Sequence, residues 1–401
     1  MPVGKFVQRS LLFCLMAPSL VLAAETSPPA LSLRPQVARA LRAAQSEVRA
    51  HHWRQAGASL EATDALDLNA LERYRVDEFK AYVLYKENHL DAAAKRYAAL
   101  LEDPYTTPKE QRQRTKSVAE MYFRAADYQR AADWARRYLD RYRSDIPVAE
   151  VLADAELRLK DYRQSASAMQ KVIDGAESSG RIPQESWLRI AANAHYGMGD
   201  EAGEDRMLQQ LARYYDRPED WRALLQLRIH NTKDARLAYA YMRLAFDLKV
   251  LEGPDEYENL VLESLRRGLP KRAEAALARA KARKVFPDER SARLAAMIAA
   301  KAGAAPAPGT NGAERDANQG RLYLSEGRDG AASTSLAAAL HEGGLERPDE
   351  IRIDLGISYL RDRKIDAARQ AFNEVPAASP WQAVSSLWEL RATAQSPRSL
   401  S

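Results

Sequence analysis

Small residues recur in pairs twelve positions apart along this chain, and this spacing constrains the fold more than any other feature. Seven pairs share it, with Val261 as the one large member: Ala81/Ala93, Ala119/Ala131, Ala153/Ser165, Ala191/Gly203, Val261/Ala273, Gly320/Ala332 and Gly356/Ala368. Small side chains let two antiparallel helices approach closely. Successive first members lie 34 to 38 residues apart, or 59 and 70 where the pattern is interrupted. Such a period is typical of stacked helix hairpins.

The segment Leu355–Pro380 shows the repeating pattern most completely. A small residue, an aromatic residue, a polar turn, an alanine, a bulky residue and a terminating proline follow in order: Gly356, Tyr359, Arg361–Lys364, Ala368, Phe372 and Pro380. This order resembles the tetratricopeptide repeat (TPR), and the resemblance covers most of residues 75–390. It implies an all-α fold, an alpha-alpha superhelix in which antiparallel hairpins stack as a solenoid. Residues 36–66 look like an N-terminal hairpin with Trp53, Ala56 and Leu60, although its first helix lacks the expected aromatic residue. Residues 218–250 are expected to supply a further hairpin, and residues 288–302 a single helix.

The N-terminus predicts an exported protein. Lys5 and Arg9 precede the apolar stretch Leu11–Leu22, and Ala23-Ala24 offers a cleavage site, as in a secretory signal peptide. The alternative is an N-terminal membrane anchor. We expect cleavage and localisation in the periplasm, with no transmembrane segment in the mature chain, because no later segment approaches 18 consecutive apolar residues.

A stretch rich in proline, glycine and alanine divides the remaining chain. The predicted organisation is a signal peptide, an N-terminal array, a linker, C-terminal repeats with a capping helix, and a frayed tail: residues 1–24, 25–302, 303–313, 314–394 and 395–401. Two hairpins alone are marginally stable, so the C-terminal repeats are expected to dock on the first array.

Residues with catalytic or metal-binding spacing are missing from the sequence. The single cysteine, Cys14, lies in the predicted leader, so the mature chain has no thiol chemistry and no disulfide. The six histidines have no metal-ligand spacing, and there is no phosphate loop or nucleophile elbow. The formal charge of +5 is spread among intermixed charges rather than gathered in a basic stripe. We therefore predict no catalytic residue, no cofactor, no metal and no nucleic-acid partner, and a chain that is not an enzyme.

The TPR resemblance implies that the first helix of each hairpin lines a concave partner-binding groove. Carried onto this sequence, the groove comprises Tyr82, Tyr85, Lys86, Lys116, Phe123, Arg124, Arg158, His195 and Tyr196. Aromatic rings beside cationic groups suit a peptide of acidic character. The alternative is an ordinary solvated helix face. The clamp that some TPR arrays use for a carboxyl terminus needs an asparagine four residues after a lysine, and Lys116 is followed by Glu120 instead.

These features predict a non-catalytic periplasmic scaffold that binds another envelope protein or peptide. The chain also resembles exported repeat proteins of Gram-negative bacteria that are described as accessory components of TonB energy-transduction systems. That resemblance rests on Tyr122–Tyr128, Glu346–Asp349 and Leu387–Arg391. Two alternatives remain open: a scaffold for envelope polysaccharide export or assembly, and a hydrolase with titrating groups in a pocket of the helical array. The partner's identity and the oligomeric state stay open.

Overall fold

The computed structural model describes residues 32–301 and 311–395. Within these ranges the chain forms twenty α-helices and no β-strand, so the predicted all-α fold is confirmed. The predicted signal peptide lies outside the described residues. So do most of the predicted linker and all but the first residue of the predicted tail.

The described residues divide into two compact units, those up to residue 204 (unit 1) and those from residue 205 onwards (unit 2). Ten described helices begin before residue 205: α1 (Pro35–Arg49), α2 (Trp53–Glu61), α3 (Ala70–Lys86), α4 (Leu90–Ala99), α5 (Pro108–Arg124), α6 (Tyr128–Tyr142), α7 (Ile146–Arg158), α8 (Tyr162–Ser178), α9 (Glu185–Met198) and α10 (Glu201–Tyr215). Ten more lie in unit 2: α11 (Pro218–Asn231), α12 (Ala235–Asp247), α13 (Pro254–Arg266), α14 (Pro270–Ala282), α15 (Asp288–Lys301), α16 (Gly312–Ser325), α17 (Asp329–Glu342), α18 (Pro348–Arg361), α19 (Ile365–Asn373) and α20 (Gln382–Gln395).

Unit 1 is built from successive helix hairpins. Helix α1 packs on α2, α3 on α4, α5 on α6 and α7 on α8, and each second helix also contacts the first helix of the following hairpin. The small residues of each pair lie where the two helices meet, and most are fully buried. In one pair the contact is a hydrogen bond, since Ser165 Oγ donates to the carbonyl oxygen of Ala153 at 2.7 Å. The twelve-residue spacing therefore marks the helix crossing itself.

The structure adds an eighth pair at the start of the array. Ala44 and Ala56 are twelve residues apart in α1 and α2, and both are fully buried. The sequence pattern recognised this hairpin only from its second helix. In seven of the eight hairpins, the turn after the first helix carries a residue of positive φ seven positions after the small residue: His51, Asn88, Ala126, Lys160, Gly268, Gly327 and Arg363. In the eighth, the residue of positive φ is Gly199, eight positions after Ala191.

Unit 2 continues the hairpin pattern and then folds back on itself. Helices α11 and α12 form the hairpin expected from residues 218–250, and α15 packs against α13 and α14. The hairpins α16–α17 and α18–α19 follow, and α20 contacts α12 as well as α18 and α19. Arg361 reinforces this return, because its guanidinium lies 2.8 Å from the carboxylate of Asp247 at the end of α12. The C-terminal hairpins thus pack on earlier helices of their own unit.

None of the helices in the described ranges combines the length and the apolar composition that crossing a membrane requires.

Candidate interaction surface

Cations occupy one recurring position on the first helices of unit 1. Five residues after the small residue of α3, α5 and α7, the chain places a lysine and two arginines: Lys86, Arg124 and Arg158. All three side chains are at least partly exposed, and each lies over at least one aromatic ring. We define the ring–cation surface as these three cations together with the aromatic residues beside them: Trp53, Tyr82, Tyr85, Phe123 and Tyr128.

Lys86 lies among three aromatic rings. Its ammonium nitrogen is 5.4 Å from the ring centre of Tyr82, 5.6 Å from that of Trp53 and 5.7 Å from that of Tyr85. A cation within about 6 Å of a ring centre is attracted by the negative face of the π-system. Because Trp53 begins α2 whereas the two tyrosines belong to α3, this cluster joins neighbouring hairpins.

Arg124 repeats the arrangement one hairpin later. Its guanidinium carbon lies 5.7 Å from the ring centre of Tyr85, and its Nη1 donates to the Tyr85 hydroxyl at 3.5 Å. Nη2 donates to Asn88 Oδ1 at the same distance. Tyr85 therefore touches both the lysine of its own helix and the arginine of the next first helix.

Arg158 and Phe123 meet around Tyr128, the first residue of α6. The ring centres of Phe123 and Tyr128 are 5.6 Å apart in an edge-to-face arrangement. Arg158 lies 5.9 Å from the Tyr128 ring centre and pairs with Asp154 on its own helix at 3.2 Å. The surface thus extends over four hairpins, from α2 to α7, through contacts between neighbours.

Helix caps fix the register that aligns these side chains. Helix α3 begins at a capping box in which Asn69 Oδ1 accepts from the Glu72 amide at 3.0 Å and Glu72 accepts from the Asn69 amide at 3.1 Å. Thr107 and Glu110 form the same arrangement at the start of α5. Such boxes satisfy amide groups that the first helical turn leaves unpaired, so they define where the helix begins.

Two carboxylates lie within the same surface, at the position after the small residue of α5 and α7. Glu120 is only 9% exposed, and burial raises its pKa to about 7 against the opposing charges of Arg124 and Lys116. Burial also raises the pKa of Asp154 above its ordinary value, although Arg158 opposes this. Near neutral pH a large fraction of Glu120 is therefore protonated, which leaves the surface more positive than its sequence suggests.

Six of the nine residues predicted for the groove come together on this surface: Tyr82, Tyr85, Lys86, Phe123, Arg124 and Arg158. Tyr82 is buried beneath Lys86 and contributes its ring face rather than an exposed edge. Within residues 32–301 and 311–395, Lys86 and Arg124 have no carboxylate oxygen within 4.0 Å. Their charges are thus not neutralised by a close ion pair in that part of the chain.

The other three predicted residues lie differently. Lys116 pairs with Asp145 at 2.8 Å, and although burial opposes ionisation, hydrogen bonds from Lys116 and Tyr138 hold the pKa of that carboxyl below its ordinary value. His195 is buried, with Nδ1 2.8 Å from Asp200 Oδ2 in the turn after α9. Both side chains therefore hold the fold locally. Tyr196 is 61% exposed at the position corresponding to Arg158.

Sequence reasoning missed Trp53 and Tyr128 as parts of this surface. Both are the first residue of a second helix, three positions before its small residue, and both lie under a cation of the following hairpin. That shared position is the signal that could have identified them. In the described ranges, no group of three or more histidine, cysteine, aspartate or glutamate residues is placed to hold a metal ion.

No protein-family model matches the chain, and no curated protein matches it in sequence. Among solved structures, a tetratricopeptide repeat protein from Parabacteroides merdae is similar over 81% of this chain and 99% of its own, at 12% identity and a TM-score of 0.36. The TPR domain of P58(IPK) is similar over 89% of this chain and 97% of its own, at 14% identity and a TM-score of 0.23. The maize pentatricopeptide repeat protein PPR10 is similar over 90% and 56%, at 13% identity and a TM-score of 0.34.

At these scores the likenesses add nothing to what the hairpins themselves define. The class of the protein follows from the paired helices and their buried small residues: an all-α array of TPR-like hairpins.

Proposed function

We propose that the protein is a non-catalytic scaffold whose ring–cation surface binds an acidic segment of another protein. The observation that carries this proposal is the pair of cations, Lys86 and Arg124, which lie over aromatic rings and lack a close carboxylate partner in the described residues. An incoming carboxylate gains a charge-assisted hydrogen bond there without first displacing an internal ion pair.

The rings supply the rest of the binding energy. Tyr85 and Phe123 are half-buried, so they are already ordered before a partner arrives. Rigid aromatic groups lose little conformational entropy on binding, and aromatic and arginine residues are frequent among the strongest contributors to protein interfaces. A segment with acidic residues next to apolar ones fits this surface best.

The proposals on location and partner rest on the sequence alone. We propose that the protein is exported to the periplasm after removal of residues 1–24, and that its partner is an envelope protein. The resemblance to exported TPR proteins supports a narrower proposal, in which the partner belongs to a TonB-type energy-transduction system.

Site-specific photo-crosslinking in cells tests the proposal. Phe123 is replaced by p-benzoylphenylalanine in the full chain, which keeps an aromatic ring at this position and leaves Lys86 and Arg124 in place. The matched control carries the same group at Trp134, which is also a half-buried aromatic residue beside an arginine, Arg137, but lies on the second helix α6. We expect a polypeptide adduct from position 123 and none of the same mass from position 134.

The adduct is then identified by mass spectrometry. An adduct that depends on position 123 supports the scaffold. Identical adducts from both positions, or no adduct from position 123, would contradict it. A TonB-system component in the adduct would support the narrower proposal, and any other envelope protein would overturn that part alone.

A further inference from the structure

Unit 2 contains a cavity of about 160 Å³ with an unusual lining. Six arginines contribute to it, from α12, α14, α16 and the turns before α14 and α18: Arg236, Arg243, Arg267, Arg272, Arg321 and Arg347. The only acidic residues among the lining residues are Glu350 and Asp354. Guanidinium groups thus outnumber carboxylates three to one around a single small space.

The two carboxylates hold part of this charge in place. Asp354 lies between Arg243 and Arg321, at 2.6 Å and 2.8 Å. Although burial opposes ionisation, these two guanidinium groups hold the pKa of Asp354 below its ordinary value. Glu350 lies 3.3 Å from Arg321. On one side of the cavity, ion pairs with Glu350 and Asp354 therefore orient the guanidinium groups of Arg243 and Arg321.

Arg272 has no such partner. It is 5% exposed, and among the described residues its side chain makes no hydrogen bond and no ion pair. It also lies in the first turn of α14, where the helix dipole disfavours a positive charge. Burial lowers its pKa to about 10, and the charges of Arg243 and Arg361 act in the same direction, whereas Tyr239 and Asp247 oppose the shift.

A buried guanidinium without an ion pair is costly, because most of its charge stays uncompensated. An anionic ligand would supply the missing charge. The Nε atom of Arg243 and the Nη2 atom of Arg321 are likewise buried without a hydrogen-bond partner in the described ranges. Three arginines of the cavity therefore retain donors that an anion can use.

We propose that this cavity binds a phosphate group, either as free phosphate or as a small phosphomonoester. Planar guanidinium forks match phosphate oxygens with two parallel hydrogen bonds. Donors that converge from α12, α14 and α16 suit a tetrahedral anion, whose oxygens point in several directions. A cavity of about 150 Å³ holds a benzene-sized molecule, so the space admits phosphate with a few further atoms. This site is separate from the ring–cation surface of unit 1 and does not depend on it.

Calorimetric titration of the full chain tests the assignment. Sodium phosphate and glycerol 3-phosphate are titrated separately, with sodium chloride of equal ionic strength and sodium sulfate as comparisons. We expect saturable binding of at least one phosphate compound and a matching rise in melting temperature, because a ligand of the folded state stabilises it. The stronger of the two identifies the source of the phosphate group.

Three variants connect the binding to the cavity. Arg272→Met keeps an unbranched apolar stem, removes the guanidinium and its charge, and should weaken phosphate binding at least about tenfold. Arg347→Gln, at the half-exposed edge of the cavity, should weaken it less and tests the same point if Arg272→Met does not fold. Arg266→Met is the control, since this side chain is 72% exposed and does not line the cavity.

The titrations and variants distinguish a phosphate site in this cavity from its absence. Saturable phosphate binding that Arg266→Met retains, and that Arg272→Met or Arg347→Gln weakens, supports the site. Absence of saturable binding, an equal response to sodium chloride, or unchanged binding in both cavity variants would overturn it.

Discussion

Gly356 in α18 faces the ring of Phe372 in α19 so closely that a β-carbon on the glycine would collide with the ring. These residues belong to the segment in which the repeat pattern is most complete. The glycine is therefore required by helix packing, because the aromatic ring occupies the space that any larger side chain would need.

The variant Gly356→Ala should lower the free energy of unfolding by about 1–3 kcal/mol, since an added methyl group forces the ring or the backbone to move. Denaturant unfolding of the full chain measures this change in free energy. Gly330→Ala in α17 is the control, because a β-carbon added there would meet no neighbouring side chain or helix within 4 Å, and its φ is not positive. That variant should be neutral or slightly stabilising, by up to about 1 kcal/mol. Equal decreases in the free energy of unfolding of the two variants would argue against the packing explanation.

At the turn residues with positive φ, glycine should be more stable than alanine. Ala126 has a φ of 60°, a conformation that costs a residue with a β-carbon about 1–2 kcal/mol. Ala126→Gly should therefore stabilise the protein by about 1 kcal/mol. Gly327, at the corresponding turn in unit 2, has a φ of 75°, and Gly327→Ala should destabilise by a similar amount. Changes of the same sign in both variants would show that φ does not determine the effect.

Glu120 should make stability depend on pH. Its pKa is about 7 in the folded protein against an ordinary value of 4.5. Between these values the folded state holds a proton that the unfolded state has lost, so the free energy of unfolding falls as the pH rises through this window. Glu120→Gln removes the effect and should be about 1–3 kcal/mol more stable than wild type at pH 8, with little difference at pH 4.

The measurement is denaturant unfolding from pH 4 to pH 8, with the exposed Glu61→Gln as control. A constant difference between Glu120→Gln and wild type across this range would contradict the raised pKa.

Glu72 should behave in the opposite way. Hydrogen bonds from Arg34 hold its pKa at about 2 although burial opposes ionisation, and the Arg34 amide donates to it at 2.7 Å. The stabilisation that ionised Glu72 contributes is fully present above pH 4.5, the ordinary pKa of a glutamate, and is lost as the pH falls towards 2. Glu72→Gln should therefore destabilise most at pH 7, and its difference from wild type should shrink below pH 4.5. A destabilisation by Glu72→Gln that increases as the pH falls would contradict the lowered pKa of Glu72.

Much of the architecture was predictable because each helix crossing requires small residues at a fixed spacing in the sequence. Ala119 and Ala131 had to be small, and the residues around them repeat at helical spacing. The first hairpin was harder to recognise: Ala44 and Ala56 keep the spacing, but the aromatic residue that usually follows the first alanine is missing. The return of α18 and α20 to α12 has no local signature, because it depends on residues more than a hundred positions apart, such as Arg361 of α18 and Asp247 of α12.

The interaction surface was predictable only in part, for a related reason. The first helices could be aligned by their small residues, which identified Lys86 and Arg124. Partners from other helices could not be seen, and so Trp53 was overlooked beneath Lys86. Nor does the sequence distinguish an unpaired cation from a paired one: Lys116 looked equivalent to Lys86, yet it is paired with Asp145. The arginine-lined cavity was missed altogether because its members come from separate hairpins.

Affinity capture from an envelope extract tests the central claim most directly. The protein lacking residues 1–24 is compared with Lys86→Ala/Arg124→Ala and with the control Trp134→Ala/Arg137→Ala, after all three are shown to fold. Quantitative mass spectrometry should find a partner that wild type and control retain equally and that the surface variant loses by about tenfold. Equal recovery of every captured protein by the surface variant and wild type would contradict a binding role for this surface.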